Sequence, residues 1–176
     1  MTFFLIFLAN AVCVFVMIAV HETGHFLAGW AAGIPLGAMR IRLLTFPQHV
    51  VLRDGEEWVT PFNTERYVAI MQRHLGFGAR LFLYTAGGLI LGTVFSVAAT
   101  VLAKEAGFSG IAIIVAAQSL GMGLIYIFVM DLPRALRRGY PAGDVSGMWF
   151  IAKIPTVVFV FATLAVDGLL LWYAIA

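Results

Sequence analysis

Phe3 to Ala32 reads FFLIFLANAVCVFVMIAVHETGHFLAGWAA, and this stretch decides the class of the chain. From Phe3 to Val20 it contains no Asp, Glu, Lys, Arg or His. A helix crosses a hydrocarbon core of about 30 Å with about 20 apolar residues, so the run is long enough to span. It lacks the basic start and the small-residue cleavage site of a removable leader, and reads as a retained signal-anchor span. Three further runs have the same character: about Leu81 to Ala103, Ile111 to Met130 and Met148 to Ala176. Of the 176 residues, 62% are hydrophobic and 11% are charged. A soluble domain carries about 45–50% and about 25%. The excess is concentrated in the four runs, which argues for a bilayer rather than a large water-excluded core.

Between the first two runs the character changes. Met39-Arg40-Ile41-Arg42-Leu43 alternates apolar and basic residues and predicts a strand. Val50 to Arg53 and Glu56 to Val59 flank Asp54-Gly55 and predict a hairpin. Asn63 is placed to cap a helix whose apolar positions include Tyr67, Ile70, Met71 and Leu75. The expected fold is therefore an all-α polytopic membrane protein. It has about four transmembrane helices (3–32, 81–103, 111–130, 148–176) and a small β-hairpin region between the first and second. Residues 1–176 form one membrane-embedded domain. The single cysteine, Cys13, excludes an internal disulfide framework.

Basic residues orient the chain. The loop after the first span holds Arg40, Arg42, Arg53, Arg66, Arg73 and Arg80; the loop after the third holds Arg134, Arg137 and Arg138. Lys104 stands alone after the second. Cytoplasmic loops carry the Lys/Arg excess, so the two basic loops are expected in the cytoplasm and both termini outside. The expected location is a prokaryotic cell membrane. The bilayer is the expected surroundings, with no nucleic-acid partner.

The chemistry lies in His21-Glu22-Thr23-Gly24-His25, an H-E-x-x-H pattern. On a helix, positions i and i+4 share a face, so both imidazoles reach one ion. Imidazole suits zinc. Glu22 is placed to take a proton from an attacking water and to return it to the leaving amine. Three ionisable groups in five positions are costly at membrane depth, which marks them as functional. A catalytic zinc takes three protein ligands, and the carboxylates near a membrane boundary are Asp131, Asp144 and Asp167. Asp144 follows Pro141 and Gly143, residues that let the backbone turn back toward the bundle. Asp167 lies about 30 Å along a helix from Gly147, near the opposite interface.

Three patches together resemble the site-2 protease family of intramembrane metalloproteases. Ala19 to Ala28 resembles its zinc helix, Thr85-Ala86-Gly87-Gly88-Leu89 its A-G-P-L-x-N segment, and Met130-Asp131-Leu132-Pro133 with Gly143-Asp144 its N-L-L-P and D-G elements. The resemblance implies one zinc ion held by His21, His25 and Asp144, with Glu22 as base. It also implies a membrane-spanning or membrane-anchored protein substrate. Leu91 and Asp131 stand where the family has asparagine, and Val145 where it has glycine after the ligand aspartate. An incoming helical substrate must be held extended beside the metal, and Met39, Ile41 and Leu43 are the candidate substrate-binding positions, through β-augmentation. Two other classes compete: an inactive metal-binding membrane scaffold and a divalent metal transporter. A scaffold has no need of Glu22. A transporter calls for charged residues at matching depth in the second and third spans, which contain almost none.

Overall fold

The computed structural model describes residues 2–176. Four helices are long and apolar enough to cross a membrane: Phe3–Ala32, Ala79–Glu105, Ser109–Arg138 and Lys153–Ile175. The first belongs to α1 (Thr2–Ala32), the second is α3 (Ala79–Glu105) and the fourth is α7 (Lys153–Ile175). The third is composite. α4 (Ser109–Leu124) runs through a π-helical turn (Ile125–Asp131) into α5 (Leu132–Arg138). Asp131 therefore does not end the third helix, as the hydropathy boundary suggested. It sits inside a continuous helix that closes at Gly139, whose φ of 72° suits glycine.

The fourth apolar run is also divided. α6 (Asp144–Ile151) and α7 are separated by Ala152, which is extended at φ −155° and ψ 100°. Pro155 supplies the reason. It has no N–H for the Ile151 carbonyl, and its ring would clash with that carbonyl in a continuous helix. The break lets α6 carry Asp144 inward while α7 departs on its own course. Asp167 consequently lies only about 21 Å from the start of α7, and its buried carboxylate accepts a bond from Ser119 Oγ at 2.9 Å.

Contacts fix the relative direction of the long helices. Gly24, late in α1, lies against Gly87, early in α3. At the other end, Lys104 of α3 donates to the Tyr173 carbonyl of α7, and Gln118 of α4 bonds Asn10 of α1 at 2.7 Å. The polar segment between α1 and α3 and the turn between α5 and α6 thus share one end of the bundle.

That end carries a three-stranded antiparallel sheet in the order β1 (Met39–Arg42), β2 (His49–Asp54), β3 (Glu57–Val59). Leu43 lies just beyond β1. The tight turn is Gly55-Glu56, one residue later than the Asp-Gly reading, because Asp54 pairs with Glu57. Gly55 supplies the φ of 63° there. α2 (Thr64–Leu75) starts after Asn63, whose carbonyl accepts from Tyr67 N–H at 2.9 Å. Its buried face of Tyr67, Ile70 and Leu75 closes a core with Val50, Leu52 and Leu81. Full burial of an Ile or Leu contributes roughly 1.5–3 kcal/mol. Arg66 and Arg73 of α2 bond Asp54 at 2.8 and 2.9 Å. Both hydrogen bonds hold the Asp54 carboxyl below its usual range.

Candidate metal centre

Long apolar helices approach one another closely where small residues line the contact. α1 and α3 use glycine for this. A Cβ on Gly24 would lie 2.2 Å from the Gly87 carbonyl oxygen, and one on Gly87 would lie 2.5 Å from Ala28 Cβ. The backbones touch, and this brings the histidines of α1 onto α3. A Cβ on Gly88 would lie 2.5 Å from His25 Nε2 and 2.6 Å from His21 Nε2. Gly88 is therefore the floor beneath both imidazoles.

Asp144, the first residue of α6, reaches the same point. Its Oδ2 is 3.0 Å from His21 Nε2 and 3.3 Å from His25 Nε2, and the two nitrogens are 3.1 Å apart. Zinc–nitrogen and zinc–oxygen bonds of about 2.0–2.1 Å give tetrahedral edges of about 3.3–3.4 Å. The three separations lie within a few tenths of an ångström of that triangle, so His21, His25 and Asp144 fit a single small cation. His25 Nδ1 lies 2.9 Å from the Tyr84 carbonyl. Only a protonated Nδ1 can bond a carbonyl, which leaves the Nε2 lone pair for an ion. Burial disfavours the ionised Asp144 carboxylate, yet His25 and His21 outweigh it and hold the carboxyl below its usual range. The donor set is two imidazole nitrogens and one carboxylate oxygen, ligand types that suit a zinc-like cation.

Glu22 is buried beside this group and is not one of its three members. Its carboxylate faces the backbone amide of Val50 in β2. β3 ends opposite Leu52, where Val59 pairs, so no β3 residue pairs with Val50. The Val50 carbonyl accepts from Tyr67 Oη at 3.0 Å, and Tyr67 Oη lies 2.6 Å from Tyr84 Oη. Burial pushes the Tyr67 phenol well above its usual range, which keeps it a donor. The sheet and α2 are thereby tied through Val50, the residue whose N–H faces Glu22.

The remaining expected positions separate. Asp131 is buried but outside the ion cluster; its carboxylate accepts from Ser146 N–H at 2.9 Å and from Ser146 Oγ. Met39 packs into the core against Gly29, one helical turn beyond His25. β1 is an outer strand of the sheet. Ile41 pairs with Val50. The Val50 carbonyl turns to Tyr67, away from β1, so this is a pair without mutual bonds and the Ile41 peptide groups point to the open edge. Sequence reasoning did not single out Tyr126, Gly88, the Val50 amide or the Tyr84 carbonyl. The spacing of five between Tyr126 and Asp131 acquires meaning only with the π turn, and the two backbone groups carry no signal, because any residue supplies them.

Comparison of the chain with protein-family models, curated proteins and solved structures finds no match.

Proposed function

We propose that this protein is an integral membrane zinc metalloprotease of the site-2 type, hydrolysing a peptide bond in or near a transmembrane segment of a protein substrate. The observation that carries the reading is the convergence of His21, His25 and Asp144 on one point, with Glu22 on the same helix. Bound zinc would supply Lewis acidity, polarising the scissile carbonyl and lowering the pKa of water from 15.7 to about 7. The chain's own residues do the rest. His25 is held in its ligating tautomer by Tyr84, and Asp144 completes the anionic donor set. Glu22 takes the proton of the attacking water and passes it to the leaving amine. A helical substrate must unwind locally to be cut, and its freed backbone groups need partners at membrane depth. The outward edge of β1 offers them. Strands lie about 4.8 Å apart, and β2 stands between that edge and Glu22. β1 therefore holds residues flanking the scissile bond rather than the bond itself.

The basic segments at the end of the bundle that carries the sheet support a cytoplasmic location for that end, and in that orientation the bond is cut near the cytoplasmic face. Metal content measured together with cleavage tests the reading. His21→Ala, His25→Ala and Asp144→Ala lose stoichiometric zinc. Glu22→Gln keeps zinc and loses cleavage. A scaffold would be indifferent to Glu22→Gln, and a transporter would move zinc across proteoliposomes without cutting anything. Stoichiometric zinc and normal cleavage in Asp144→Ala would remove the proposed ligand set.

A further inference from the structure

The π-helical turn has a consequence at the ion site. An α-helix stacks residues three and four apart; a π turn closes i→i+5 bonds and aligns residues five apart. Tyr126 and Asp131 are five apart within this turn, Ile125–Asp131. Both reach the turn that delivers Asp144. A Cβ on Gly143 would lie 2.5 Å from Tyr126 Oη and 2.8 Å from Asp131 Cγ. Gly143 is extended, at φ −166°, so glycine is needed there for space and not for backbone freedom.

The two residues grip different parts of the turn. Asp131 accepts from Ser146 N–H and Oγ, and Ser146 Oγ in turn accepts the N–H groups of Ala142 and Gly143 at 2.9 and 3.1 Å. Tyr126 grips Asp144 itself. Its oxygen accepts the Asp144 N–H at 2.9 Å, and its hydroxyl donates to Asp144 Oδ2 at 3.1 Å. A phenol has one proton to donate, and it goes to the oxygen that faces both histidines. Backbone and carboxylate of one residue are thus fixed by a single atom.

We propose that Tyr126 is a positioning residue for the third ligand, setting the Asp144 carboxylate so that Oδ2 alone is presented to the cation. The proposal rests on the metal reading of His21, His25 and Asp144. Donation to Oδ2 occupies one of its lone-pair directions and resists rotation of the carboxylate into a two-oxygen grip. Partners of this kind are typically worth 10–100-fold in metal affinity.

The test uses the full-length protein purified in detergent, with Zn²⁺ and Co²⁺ as probes. Tyr126→Phe removes one oxygen and keeps the ring. Competition against a chromophoric chelator is expected to show zinc affinity 10–100-fold below that of the unmodified protein. The cobalt d–d band is expected to weaken as the carboxylate adds its second oxygen and the coordination number rises. A purely structural role would lower thermal stability without altering that band. If the Phe variant does not fold, Gly143→Ala, whose methyl displaces both the Tyr126 hydroxyl and the Asp131 carboxylate, is compared with Asp131→Asn, which disturbs the second alone; a larger loss of affinity in Gly143→Ala is expected, and an equal loss overturns the proposal. Unchanged affinity and cobalt spectrum in a folded variant overturn the proposal while leaving the ligand set intact. Failure of the unmodified protein to bind zinc overturns both.

Discussion

Gly88→Ala isolates the metal centre from the stability of its helix. Alanine is better than glycine in a helix interior by about 1 kcal/mol, so on local propensity the change is neutral or stabilising. The site predicts the opposite for metal. The new methyl would lie 2.5 Å from His25 Nε2 and 2.6 Å from His21 Nε2, where non-bonded atoms settle at about 3.5 Å. One or both rings must retreat by about 1 Å. Metal sites tolerate departures of about ±0.2 Å, so at least one imidazole ceases to ligate. Loss of a ligand exceeds the 10–100-fold cost of losing a supporting group. Zinc affinity should therefore fall at least about 100-fold, or ~2.8 kcal/mol. Gly92, one turn further along α3, is the control, since a Cβ there meets nothing within 4 Å. Chelator competition and circular dichroism on Gly88→Ala and Gly92→Ala provide the assay. The expected result is native helix content in both and lost zinc in the first alone. Gly88→Ala with native zinc affinity would refute the placement of the two ligand nitrogens against α3.

Cysteine substituted at Glu56 should resist an impermeant thiol reagent applied to intact cells, while cysteine at Ser109 should react; labelling at Glu56 from outside would invert the proposed orientation. Ile41→Pro removes a backbone donor from the open edge of β1 and leaves the bonded pairs Arg40–Val51 and Arg42–His49 in place. It should retain zinc and membrane insertion, with cleavage cut at least about tenfold, roughly the ~1.4 kcal/mol of one substrate hydrogen bond; full activity in the folded, metal-loaded variant would exclude β1 as a substrate clamp.

Much of this arrangement was legible in the sequence because its signals are periodic or chemically rare. The four apolar runs needed only length and hydropathy. His21, Glu22 and His25 were visible because ionisable groups are costly in such a run. Asp144 came from the resemblance, with Pro141 and Gly143 supplying a physical reason for its turn. What escaped depends on backbone geometry that side-chain patterns do not encode. The π turn changes which residues share a face, so Asp131 read as a helix end and Tyr126 as one more aromatic in an apolar run. Pro155 was present to break the last helix, but the surrounding apolar residues masked its effect. The close approach at Gly24, Gly87 and Gly88 needs two helices in register before the glycines acquire meaning. Met39 alternates as a strand residue should, yet the face it lies on buries it against Gly29.

The central claim is that Glu22 drives hydrolysis at a metal site within an apolar bundle. The most direct measurement compares new protein termini in membranes from cells expressing the unmodified chain or Glu22→Gln, matched for expression and zinc content. The account predicts termini inside or at the edge of apolar spanning segments of other membrane proteins with the unmodified chain, and their disappearance with Glu22→Gln. Identical termini with both proteins, or none dependent on the unmodified chain, would contradict it.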